Sequence, residues 1–224
     1  RYDLVSAPVV DSENKLVGRV TVNNVMDYIR EESGTDILNL AGLNEEEDLF
    51  ASAWKSGRNR WLWLSLNLFT AFIASRVIGA FEGAIVKLVA LAALMPIVAS
   101  LAGNTGNQTV ALIVRAIALG QINAGNVWRL FSKEIKVGLL NGTLWGTIGG
   151  LFAYLLYGSV DLALVMASAI VLNLLVAALA GVFIPVALKR FGRDPAMGSS
   201  VLLTALTDSM GFFIFLGLAS IFLL

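Results

Sequence analysis

The chain has 224 residues, of which 57% are hydrophobic and 14% charged, with a mean hydropathy of +0.78 and a formal net charge of zero. So much apolar surface exceeds what one soluble core of this size requires, and it places most of the chain in lipid. The absence of cysteine and histidine excludes disulfides, thiolate metal centres and the usual general base, which leaves hard-cation chemistry through oxygen ligands; no nucleic-acid partner is expected.

Most acidic residues precede residue 58, whereas Leu, Ala, Val, Ile, Phe and Gly dominate from Arg60 onward. In the amino-terminal region an extended apolar run at 7–11 meets a polar turn, Ser12-Glu13-Asn14-Lys15, before β-branched alternation resumes over 16–22. This pattern predicts a hairpin. Asn23 or Asn24 is placed to cap a helix over 25–30, with Val25, Tyr28 and Ile29 on one face. Strand, turn, strand and helix in this order resemble the closing half of a CBS module. Such a fragment cannot close its own core, so the sequence is expected to begin partway through a larger protein; Arg1-Tyr2-Asp3-Leu4 does not read as a secretory leader.

Residues 44–57 begin with Glu45, Glu46, Glu47 and Asp48, continue with Leu49, Phe50, Ala53 and Trp54 at helical spacing, and lead into Lys55, Arg58 and Arg60. Acid first and base last complement the helix macrodipole, so an amphipathic helix is expected. Its carboxylates are either a solvated face on a connector or regulatory ligands for a divalent cation beside the membrane.

Segments 61–81, 133–157, 162–188 and 197–224 are each long enough to span a bilayer, with Trp61 and Trp63 as an interfacial belt. The region 83–120 is apolar at both ends but carries Gly103-Asn104-Thr105-Gly106-Asn107-Gln108 in its middle. If it crosses once, the basic sites Arg58 and Arg60, Arg129 with Lys133 and Lys136, and Lys189 with Arg190 and Arg193 all face the cytoplasm, as the distribution of Lys and Arg requires. The expectation is therefore an all-α polytopic membrane protein of five transmembrane helices, amino end cytoplasmic and carboxyl end outside, with a small α/β cytosolic fragment. Its parts are a CBS-like fragment at 1–43, a linking helix at 44–59 and a pore domain at 60–224.

Pro96, the two glycines and the amides predict irregular backbone at membrane depth, which lipid tolerates only where protein or a wet cavity covers it. Pore lining is the reading this favours for Gly103, Asn104, Gly106 and Asn107. A small-residue packing surface explains the glycines but leaves the amides unexplained.

Asp208 is the one acid within 195–224, and Thr204, Thr207, Ser209 and Gly211 surround it. An intramembrane carboxylate costs about 3 kcal/mol or more and is retained for ion or proton chemistry. Lying thirteen residues beyond Pro195, it falls roughly 20 Å along a helix, well past the headgroups. One carboxylate is too few ligands for a bare cation, so the ion keeps its water or symmetry supplies a second acid. Magnesium fits both conditions because it dehydrates reluctantly. A proton-carrying or structural role for Asp208 stays open. Asn67, Asn141 and Asn173 read as helix-bridging amides, Arg76 and Glu82 as pairing or snorkelling groups, and the glycines at 138, 142, 146, 149 and 150 as close packing.

The run from Pro96 through Gly103-Asn104-Thr105-Gly106-Asn107-Gln108-Thr109, followed by Arg115-Ala116 and Ala118-Leu119-Gly120, resembles the motif of the MgtE magnesium channels. Asp194-Pro195-Ala196 with Leu206-Thr207-Asp208-Ser209-Met210-Gly211 is similar to that family's last helix. With the CBS-like head and the linker, the likeness covers essentially the whole chain. It implies a homodimer in a bacterial inner membrane, with the second and fifth helices lining a central path for Mg2+. Asp208 then matches the aspartate that holds the hydrated ion, and Gly103, Asn107 and Gly211 match pore-wall positions. Beside Asp208, Thr204 and Thr207 are also expected to line the path. The resemblance also implies regulation by cytosolic Mg2+ through the linking helix. One departure is Ala102-Gly103-Asn104 where the family commonly shows Gly-Gly-Asn. No enzymatic activity is expected, since no acid and base pair is evident. A gradient-coupled divalent cation transporter is the alternative, because broken helices also bind ions at the midplane of such proteins.

Overall fold

A computed structural model describes residues 5–43, 50–123 and 125–224. The hairpin is present: β1 (Ser6–Val10) pairs antiparallel with β2 (Leu16–Thr21), and Asp11 Oδ1 accepts from the amides of Glu13 and Lys15 at 2.9 Å to hold the turn. The following helix, α1 (Val22–Leu40), starts earlier and runs much further than periodicity indicates. Thr21 rather than an asparagine begins it: its hydroxyl accepts from the Asn24 amide at 3.3 Å while Asn24 Oδ1 accepts from the Thr21 amide at 3.0 Å, a reciprocal cap. Val9, Val10, Leu16, Val17 and Val20 remain exposed on the hairpin.

The helix expected over 44–57 is not continuous. Phe50 to Ser52 lies in a turn, and Ser52 Oγ accepts from the Lys55 amide to start α2 (Ala53–Ala80), which runs straight into the first apolar segment. Glu45, Glu46, Glu47 and Asp48 lie outside the described residues. After α2 come α3 (Glu82–Lys87), α4 (Ala90–Ala118), α5 (Val127–Tyr157), α6 (Val160–Arg190) and α7 (Ser199–Phe222). Among the described residues α2, α5, α6 and α7 are long and apolar enough to cross a membrane. The 29 residues of α4 suffice in length, and its central amides dilute its hydropathy.

The region 83–120 resolves as one unbroken main helix with the short α3 before it, and the predicted irregular backbone at Gly103 to Gln108 is absent. Glycine and asparagine weaken a helix by up to about 1 kcal/mol per residue. Packing offsets this here, because Ala102, Gly106, Thr109 and Val110 are buried against neighbouring helices. Pro96 withholds one amide and is accommodated within the helix.

The buried α6 forms the centre, and α4, α5 and α7 pack around it while α2 leans on α7. Along α5, Gly138, Gly142, Gly146 and Gly150 form an i, i+4 row against α6. A Cβ on Gly146 or Gly150 would stand 2.8 Å from the Ala167 or Ala163 carbonyl. The close packing expected of these glycines is thus present, and in lipid such small-residue contact is what holds helices together. One core cluster joins Leu91, Val98, Met166, Ile170 and Phe215; a second joins Val110, Val114, Ala180, Ile184 and Leu203, with Leu40 of α1 packed on it. Beside that second cluster the α1 end is also tied by a hydrogen bond from Asn39 Nδ2 to Asp194 Oδ2 at 3.2 Å. This end of α1 holds the head against the bundle through Asn39 and Leu40.

Candidate ion-binding site

Asp208 sits in mid-helix, nine residues after the first residue of α7, roughly 14 Å along its axis at ~1.5 Å per residue. It is shallower than the distance from Pro195 implies, because residues 195–198 are not helical. The carboxylate is partly exposed, and among the described residues no donor or cation reaches it.

The contacts of α4 with α7 determine which way this carboxylate faces. A Cβ on Gly106 would meet Leu203 Cδ2 at 2.8 Å, and one on Gly103 would lie 3.9 Å from Thr207 Oγ1. Residue numbers fall on one helix as they rise on the other, so the two run antiparallel. Each successive residue of a right-handed helix turns by about 100°, and in an antiparallel pair the residue following each contact position turns to the same flank. Asn104 and Asn107 of α4 and Thr204 and Asp208 of α7 are those residues. They form one polar stripe along the seam, with Asn104 exposed and the other three partly exposed. Ser100 extends it, accepting from Asn104 Nδ2 at 3.5 Å.

The remaining residues expected to line the pore are placed differently. Gly106, Thr207 and Gly211 are buried within the bundle, and the Thr207 hydroxyl donates to the Thr204 carbonyl at 3.2 Å. They let the helices approach behind the stripe and do not stand on its open flank. Gly103 is partly exposed at the edge between the two. For Gly106, the packing reading set beside pore lining is the one its contacts match.

Two residues behind the stripe carry more than sequence reasoning assigned them. Asn173 of α6 is fully buried and bridges helices as expected, its Nδ2 donating to the carbonyls of Val98 on α4 and Thr207 on α7, each at 3.2 Å. Its Oδ1 is buried with no partner among the described residues. An acceptor left so costs about 1–3 kcal/mol. Glu134 of α5, buried at 6% exposure, accepts from Thr109 Oγ1 at 3.0 Å and pairs with Lys133 at 3.3 Å. In the sequence its place among Arg129, Lys133 and Lys136 disguises it as one more surface charge. Asn67 instead bonds the Trp63 carbonyl of its own helix, and Arg76 and Glu82 form no ion pair with each other.

Among the described residues no three acidic side chains converge as a metal cage. The arrangement is suited to outer-sphere binding: one carboxylate, a hydroxyl and two amides accept hydrogen bonds from the water around an ion.

A family model described as a divalent cation transporter, MgtE, matches residues 95–218, which contain the whole stripe. The chain belongs to the MgtE family. Among MgtE relatives, the magnesium transporter MgtE of Bacillus subtilis is 32% identical over 223 residues, covering 100% of this chain and 49% of that protein. The magnesium transporter MgtE of Thermus thermophilus is 34% identical over 232 residues, covering 99% of this chain and 50% of that protein. The magnesium transporter MgtE of Enterococcus faecalis is 31% identical over 222 residues, covering 99% of this chain and 49% of that protein. The chain spans about half the length of these curated relatives.

Proposed function

We propose that the chain forms the pore of a magnesium channel of the cell membrane, conducting hydrated Mg2+ passively as a homodimer. The carrying observation is the polar stripe: Asp208 stands beside Thr204, Asn104 and Asn107 on one open flank of the α4–α7 seam, with no internal partner for its charge among the described residues. A second copy meeting this flank about a two-fold axis would close it and bring two carboxylates to one path. Their charge would concentrate the divalent ion, while hydroxyls and amides hydrogen-bond its retained water, so the ion need not be stripped.

In this reading α4 is a fifth crossing beside the four more apolar helices, with the amino end in the cytoplasm and the carboxyl end outside, an orientation supported by the clustering of Lys and Arg in alternate loops. Residues 1–43 belong to a CBS-like cytosolic module, 44–59 to the linker and 60–224 to the pore. Glu45, Glu46, Glu47 and Asp48 are regulatory ligands through which cytosolic Mg2+ closes the path.

Uptake of Mg2+ into vesicles holding the reconstituted protein tests this. Asp208→Asn and Asp208→Ala are expected to lose most of the flux at equal protein incorporation. Flux unchanged by both substitutions excludes the proposed site. A strict requirement for a sodium or proton gradient would instead make the protein a coupled transporter.

A further inference from the structure

The Asn173 amide touches no exposed surface, yet it joins the two helices that carry the polar stripe. Both of its hydrogens are used, one on Val98 of α4 and one on Thr207, the residue before Asp208. Those carbonyls lie inside continuous helices, where the amides four residues on already reach them. The side chain is therefore not needed to satisfy them, and it leaves its own Oδ1 unpaired. A leucine of similar size would fill the space without that penalty. What asparagine adds is geometry. Sliding α7 by one residue's rise, ~1.5 Å, would break a bond of 3.2 Å. The amide cannot flip, since its oxygen would then face two carbonyls. Gly211 makes room for it: a Cβ there would overlap Asn173 Nδ2 and stand 3.1 Å from its Cγ.

We propose that Asn173 is a positioning residue that sets the height and rotation of Asp208 against Asn104 and Asn107. This rests on Asp208 being the ion ligand.

The test is Asn173→Leu in the intact, reconstituted protein, with thermal stability, the Mg2+ concentration for half-maximal uptake and discrimination against Ca2+ as readouts. Stability is expected to hold or rise. Half-saturation is expected to shift upward by roughly tenfold, the lower end of what outer-shell substitutions do to metal sites, with weaker discrimination. Gly211→Ala, which displaces the same amide from α7, should reproduce the shift, and the double variant should be no worse than either single one. A residue that only supports packing would lower stability and leave half-saturation and discrimination unmoved, which would overturn the assignment. Failure of both variants to fold would make Asn173 a folding requirement and likewise overturn it. Asp208→Asn in the same assay separates the two ideas: if it abolishes uptake while Asn173→Leu changes nothing, only the positioning role falls.

Discussion

Thr109 of α4 donates its hydroxyl to the buried carboxylate of Glu134 on α5 across 3.0 Å, while a Cβ on Gly181 of α6 would meet Thr109 Cβ at 2.8 Å. Three helices thus meet at one point behind the polar stripe. Glu134→Gln keeps an acceptor for Thr109 and loses only a partly solvated pairing with Lys133, so it should cost less than about 1 kcal/mol. Glu134→Ala removes the acceptor and should cost about 1–3 kcal/mol, read as a lower melting temperature in detergent. Equal melting of the parent and the alanine variant would show that the bond contributes nothing.

The glycine row of α5 makes a sharper contrast. At Gly150 an added methyl group meets the Ala163 carbonyl, backbone that cannot move aside, so Gly150→Ala is expected to destabilise by about 1–3 kcal/mol. At Gly79 of α2 nothing lies within 4 Å, and Gly79→Ala should be neutral or stabilising by up to about 1 kcal/mol. Equal unfolding of the two variants would contradict the packing described for α5 and α6.

The docking of α1 rests on Asn39 with Asp194, whose other oxygen accepts from the Ala196 amide at 2.9 Å. Asn39→Ala should weaken that attachment by about 1 kcal/mol. Amide hydrogen exchange should then rise along α1 and stay constant in α6. Exchange in α1 that does not change would mean that packing, including Leu40 on the second cluster and Gly42 against Trp63, holds the helix end without the hydrogen bond.

Much of this architecture was readable in the residues. Alternation around Ser12 to Lys15 marked the hairpin, apolar length marked the four long apolar helices, and the isolation of Asp208 among hydroxyls singled out the residue proposed as the ion ligand. The rest depended on contacts that no local pattern carries. Gly103 and Gly106 look like a break because their propensity is poor, but burial of Gly106, Thr109 and Val110 keeps the helix whole. Which side of α7 is open is decided by Leu203 and Thr207 packing on α4, and this separates Thr204 and Asp208 from the buried Thr207 and Gly211. Phe50 to Ser52 interrupts an otherwise convincing helical spacing because Ser52 caps the next helix. Glu134 and Asn173 acquire meaning only from partners on other helices.

Where a divalent cation rests in the assembled protein decides whether Asp208 is the pore ligand. With manganese as an anomalous scatterer in crystals of the intact protein, the ion is expected on a two-fold axis between two copies of Asp208. Each carboxylate should reach it through water, at on the order of 4 Å. An ion held elsewhere along the path with Asp208 turned to lipid, or assembled subunits whose Asp208 side chains share no axis, would contradict the proposal.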